Sequence, residues 1–241
     1  ARIKRILDTR CGAVPFSLMT STMLCSSLQV INGELHCVPL EMILMVMTAG
    51  DSVGENAVIS PLAWTDHDDE VLLIMERPEN CMDLLEYDEG QIDEGLAKVI
   101  TLAIVLRWTP SHCCRARSDN IFGLRILDFG CGWFVTPGYP FSFLTGTSCY
   151  EPPEFNLRGT YEAGPTTVWQ LGCILLEPLS VNTDMFTTGI FCANGHFSLR
   201  LPSSDCKKFL MSCLLIKPDQ RITLGQMWCH PMRSVSPGEL H

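Results

Sequence analysis

No apolar run in this sequence is long enough to cross a bilayer: the longest uncharged one, residues 99–106, falls far short of the roughly 20 residues a spanning helix needs. There is no N-x-[ST] sequon, no C-x-x-C pair and no signal-peptide pattern at the start. Basic residues are scarce as well, 17 Lys and Arg against 27 Asp and Glu, for a net charge of −10. Each absence removes a class. A membrane span is excluded, a structural zinc site has no paired-thiol framework, and nucleic acid is a poor main partner because phosphate binding draws on clustered Lys and Arg. A basic protein segment is the easier partner electrostatically. The expectation is a soluble monomer of the cytoplasm, with the nucleus as a second compartment.

Cysteine, by contrast, is plentiful. The 13 cysteines are odd in number, scattered and mostly set in apolar segments such as 210–215, which reads as reduced core thiols rather than a disulfide framework. With 241 residues and 46% apolar content the chain can bury a sizeable core, as one large domain or a small lobe joined to a larger one. It opens on Ala1 with no initiator methionine, so a fragment or an incomplete gene model is expected.

Residues 1–6 alternate like a short strand, and a polar, turn-rich stretch then leads to the turn signal Asn32-Gly33. A helix is predicted over 38–47, with Pro39 in its first turn; Leu40, Ile43, Leu44 and Met47 share its buried face and Glu41 lies beside that face. Strand-like runs at 57–64 and 71–75 follow, joined by an acidic turn at 66–70, and the second stops at Arg77-Pro78. Asp93 caps a predicted helix reaching about residue 107, buried through Leu96, Val99, Ile100 and Ala103; further helices are predicted at 167–177 and 204–215. Strands early and helices late point to an α+β chain.

The most specific cluster is Ile126-Leu127-Asp128-Phe129-Gly130, an apolar run delivering an Asp onto a Phe-Gly turn. Alone it reads equally well as a plain turn. Asn120 stands eight residues upstream, however, and Thr145-Gly146-Thr147 and Tyr150-Glu151-Pro152-Pro153-Glu154 stand downstream. In protein kinases an Asn and the Asp of such a turn hold magnesium, and a Pro-Glu segment closes the activation loop. Oxygen ligands on separate rigid elements set hard cations against a phosphate that would otherwise repel its nucleophile.

The resemblance is more particular still. Met75-Glu76-Arg77-Pro78-Glu79 resembles the hinge of the Pim-type serine/threonine kinases, whose Pro removes one N–H that other kinases offer to adenine. Val168-Trp169-Gln170-Leu171-Gly172 resembles the central helix of that family, and Lys217-Pro218-Asp219-Gln220-Arg221 with His230-Pro231-Met232 its C-terminal end. The likeness runs from about residue 1 to residue 232. It implies a single bilobal kinase-like domain over 1–241: a partial N-lobe over 1–77, without its first strands and glycine-rich loop, and a helical C-lobe over 78–241.

It also implies ATP and Mg2+ as cofactors and protein serines or threonines as substrates. Lys4 would be the phosphate-binding lysine and Glu41 its ion-pair partner; read without the resemblance, they are a solvated terminal lysine and an exposed helix carboxylate. Met75, Glu76 and Arg77 would line the ATP site, and Asp83 would contact ribose or a basic substrate side chain, or else cap a helix. Asn120 and Asp128 would hold metal, and Glu154 with Arg221 would form a buried structural ion pair.

One position departs from the family pattern. Kinases place the catalytic Asp five residues before the metal-binding Asn, in the order H-R-D-x-x-x-x-N. Counted back from Asn120, those positions hold Cys113, Cys114 and Arg115. A guanidinium stays protonated and cannot accept a proton. Asp119, beside Asn120, reads as a substrate contact or a solvated loop charge, and Thr167 stands where many kinases carry an Asp that braces the catalytic loop. The resemblance therefore implies a Pim-like kinase with transfer weakened or lost, or a pseudokinase that senses nucleotide or binds protein.

Overall fold

The computed structural model describes residues 16–21, 26–31, 34–48, 58–67, 70–79, 81, 95, 125–136, 138–180, 188–189, 192 and 203–230. Several expectations lie outside these residues: the strand at 1–6, Lys4, Asp83, nearly all of the helix begun at Asp93, the Cys113-Cys114-Arg115 run, Asp119 and Asn120. The chain divides into two compact units, Ala1–Met82 with Cys114–Phe134, and Asp83–Cys113 with Val135–His241.

The first unit holds the strands. β1 (Phe16–Ser21), β4 (Pro61–His67) and β5 (Glu70–Glu76) form an antiparallel sheet in the order β1-β5-β4. β2 (Ser26–Ile31) pairs with β3 (Glu34–Pro39), and Ile31 stands opposite Glu34 on either side of Asn32-Gly33 in the sequence. The stretch read as polar and turn-rich thus contains two strands: short runs such as Phe16–Ser21 carry too little periodicity to be told from loop. β4 starts at Pro61, later than expected, after an isolated parallel bridge between Val58 and Ile126. β5 ends at Glu76, directly before Arg77-Pro78.

Helix α1 (Leu40–Thr48) follows β3 directly, so Pro39 closes a strand instead of opening the helix. Its buried face differs from expectation in part: Leu40 is buried and Ile43 packs against the core as expected. Met42 and Met45 are buried, with Glu41 between the two faces of the helix pattern and itself only 4% exposed, whereas Met47 is 66% exposed. The cause is in the sequence LEMILMVMT: with nearly every position apolar, spacing selects no unique face. Burying Glu41 rotates Met42 and Met45 onto Val38, Ile59, Leu73 and Met75.

The second unit is helical: α2 (Pro153–Arg158), α3 (Ala163–Leu179), α4 (Ser204–Cys213) and α5 (Leu224–Trp228), with 3₁₀ turns at Ser148–Tyr150 and Pro218–Gln220. Local chemistry sets the ends. Ser203 accepts from the Cys206 N–H, and Thr223 and Gln226 form a reciprocal capping box. Gly159, at φ 68°, ends α2 in the left-handed conformation glycine adopts freely. The core joins Val168, Trp169, Leu175 and Leu176 of α3 to Phe209 and Leu210 of α4. Cys149, Cys173 and Cys213 are free thiols, and Cys173, Cys206 and Cys213 lie in this core. Burial pushes the Cys213 thiol up to about 12.

At Gly172 α3 lies close against the end of α4: a Cβ there would stand 2.9 Å from Cys213 Cβ and 2.8 Å from Leu214 Cδ2. Gly172→Val should therefore overpack this crossing and lower stability by about 2 kcal/mol, read from the midpoint of chemical denaturation; an unchanged midpoint would refute the close packing.

Candidate functional site

The segment entering the site is held first by backbone. Ile59 N–H donates to Ile126 O at 2.9 Å, beside the isolated parallel bridge between Val58 and Ile126. Two residues on, Asp128 sits at φ 68°. A non-glycine residue rarely takes that conformation, and Asp is among the few that tolerate it, because its short side chain bonds locally. Here Oδ1 accepts from Gly130 N–H at 3.1 Å, and Gly132 N–H closes the turn on Phe129 O at 2.8 Å.

Phe129 then links this turn to α1. Its side chain packs against the core of Met42, Met45 and Ile59, and its N–H donates to Glu41 Oε1 at 3.0 Å. The two glycines permit the approach: a Cβ on Gly130 would meet Asp128 Oδ1 at 3.3 Å, and one on Gly132 would meet Leu44 Cδ1 at 2.6 Å. The Asp128 carboxylate stays exposed. A hard oxygen donor held in one orientation by its own turn, on a rigid element, fits a magnesium ligand. Among the described residues no group of three His, Cys, Asp or Glu could hold a metal, so any ion here would need further oxygens from elsewhere, and Asn120 lies outside the described residues.

The residues expected to form a hinge lie at the end of β5. Met75 is in the core and Arg77 is exposed. Glu76 is 3% exposed and its carboxylate turns inward: Oε1 accepts from Ser60 N–H at 3.0 Å and lies 3.5 Å from Arg125 Nη1, while its own N–H donates to Ser60 O at 3.0 Å. A buried carboxylate requires such donors. The side chain of Glu76 is thus engaged within the fold.

In the second unit Glu154 and Arg221 meet. Arg221 Nη1 and Nη2 donate to Glu154 Oε1 and Oε2 at 2.8 and 2.5 Å. The other donors reach Pro165 O, Leu215 O and Ile216 O, so all five N–H groups are engaged. The guanidinium lies 5.0 Å from the ring centroid of the buried Trp169, and Thr166 adds a bond to Glu154 at 3.4 Å. Thr167 donates to Ala163 O of its own helix at 2.8 Å.

Other contacts had no forewarning in the sequence. Tyr150 hydroxyl donates to Glu177 at 3.0 Å, and Thr188 hydroxyl donates to Glu151 O, together fastening the segment before α2. Burial, and then the charge of Glu177, raise the Tyr150 pKa. Arg125 offered a signal: a lone cation inside the apolar run Leu124-Arg125-Ile126 implies a buried partner, but not which one.

Residues 41–232, well over half of the chain, match the protein kinase domain. The chain belongs to the protein kinase family. This kinase chain is 30% identical over 234 residues to serine/threonine-protein kinase pim-2 of Danio rerio, covering 86% of this chain and 73% of that protein. It is 28% identical over 221 residues to serine/threonine-protein kinase prk-2 of Caenorhabditis elegans, spanning 48% of that relative's length. Calcium-dependent protein kinase 4 of Solanum tuberosum is 32% identical over 133 residues, 51% of this chain and 23% of that protein. The mixed strand and helix content, with its small antiparallel sheet, is that of the bilobal kinase fold. Protein kinases in general transfer phosphate from ATP with divalent metal.

In this kinase chain, Arg221→Ala should cost about 3–5 kcal/mol, because it strands the buried Glu154 charge. Arg221→Lys should recover only part, since an ammonium cannot make the forked contact. Denaturation midpoints of both variants check this; wild-type stability in Arg221→Ala would contradict a buried pair.

Proposed function

We propose that this chain is a Pim-like serine/threonine kinase domain that holds ATP and magnesium, with weakened transfer to serines and threonines of basic protein segments. The observation that carries this reading is the bond from Phe129 N–H to the buried Glu41 carboxylate, which fixes α1 against the turn presenting Asp128. Asp128, with Asn120, would hold the metal; Lys4, paired with Glu41, would hold phosphate. Met75, Glu76 and Arg77 would form the wall beside adenine, Glu76 by its backbone, and Asp83 would serve ribose or a basic substrate side chain. Magnesium, when bound, supplies neutralisation of phosphate charge. The net charge of −10 favours basic partners.

The weakening follows from Arg115. General-base catalysis contributes typically about 10²–10⁴-fold, while most of phosphoryl transfer is positioning and electrostatics. A chain with its metal ligands but no proton acceptor should bind nucleotide better than it turns it over. Arg115 also motivates a second reading, a pseudokinase that senses nucleotide or binds protein as a scaffold, without catalysis.

The kinase reading requires nucleotide binding. Magnesium-ATP at 100 times its Kd should stabilise the fold by about 2.7 kcal/mol, seen as a raised melting temperature. Asp128→Asn should lose the magnesium-dependent part of that shift, and no shift in the wild-type chain would refute the proposal.

A further inference from the structure

Within the first unit, three segments distant in sequence are laced together around one buried charge pair. Glu76 and Ser60 exchange bonds in both directions, N–H to O at 3.0 Å and carboxylate to N–H at 3.0 Å. Ile59 bonds Ile126 at 2.9 Å, and Arg125, the residue before Ile126, places Nη1 3.5 Å from Glu76 Oε1. The side chains are nearly sealed, Arg125 at 10% and Glu76 at 2% exposure. The hinge and the arm bearing Asp128 therefore meet through an ion pair, in a unit whose core is otherwise Val38, Met42, Met45, Ile59, Leu73 and Met75.

Stability alone does not account for such a pair. Desolvating two charges offsets most of their attraction, and well-packed apolar residues in their place are often as stable or more so. An ion pair does differ from an apolar contact in being directional. Apolar surfaces can slide past one another at little cost, whereas a guanidinium and a carboxylate fix which residue faces which.

We infer that Glu76 and Arg125 are positioning residues that lock the hinge to the arm of Asp128, so that the adenine end and the metal end of a bound nucleotide keep one register. The inference rests on the nucleotide-binding reading above. Asp128 follows Arg125 by three residues and Arg77-Pro78 follows Glu76 directly, so a slip between the two charges displaces a metal ligand relative to the hinge. Its consequence falls on the coupling between the two ends: magnesium should improve ATP affinity more in the locked protein than in an unlocked one.

The test is titration calorimetry of ATP with magnesium and with EDTA, on the wild-type chain and on Glu76→Gln/Arg125→Met. Gln keeps an oxygen for Ser60 N–H and Met keeps the apolar stem, so both charges go together and neither is stranded. In the double variant the ratio of ATP affinity with magnesium to that without should fall about fivefold or more, the lower range of an allosteric coupling. An enhancement equal to the wild type's in that variant overturns the inference. Arg125→Lys, which keeps the charge, is the second arm: it should hold the enhancement within about twofold, and a fivefold fall there refutes an electrostatic lock even if the double variant does not fold. Wild-type chain that binds no ATP under either condition overturns both the inference and the reading beneath it.

Discussion

A carboxylate buried to 4% exposure on an almost wholly apolar helix must find donors, and Glu41 finds the Phe129 N–H. That bond spans 88 positions of sequence and orients two elements at once. It turns α1 so that Met42 and Met45 enter the core, and it holds the turn in which Asp128 is left-handed with its carboxylate outward. The exposed Leu127 and the core-packed Phe129 on either side of Asp128 follow from the same constraint. Without Glu41 as acceptor, nothing in the α1 sequence would select this face.

The second unit solves its own problem by a similar device. Arg221 draws Glu154, Pro165, Leu215 and Ile216 onto a single guanidinium beside Trp169, joining α2, the first turn of α3 and the stretch after α4. In both units a buried charge held by hydrogen bonds does what apolar packing cannot, by specifying which partner sits where.

Much of this was legible in the sequence, though unevenly. The α3 and α4 helices and the β4–β5 pair could be read from periodicity and from the stop at Arg77-Pro78. The Asp128 turn could be read from its own residues, whereas the pairing of Glu154 with Arg221 came through resemblance to a family and not through spacing. Three features were hidden for physical reasons. The α1 face was ambiguous because too many residues are apolar; β1 and β2 were too short for a period to emerge; and the Ser60–Glu76–Arg125 contacts depend on tertiary neighbours 16 or more positions apart, which no local pattern records.

At the centre of the account is the proposed division of labour, in which Asp128 and Asn120 would hold metal and Arg115, at the position of the base, would be unable to take a proton. Phosphate transfer from labelled magnesium-ATP to a basic serine peptide, measured side by side for the wild-type chain and Arg115→Asp, tests it most directly. The account predicts slow or absent transfer by the wild type and a gain of about 10²-fold or more on restoring the carboxylate. Brisk wild-type transfer that Arg115→Asp leaves unchanged would contradict it.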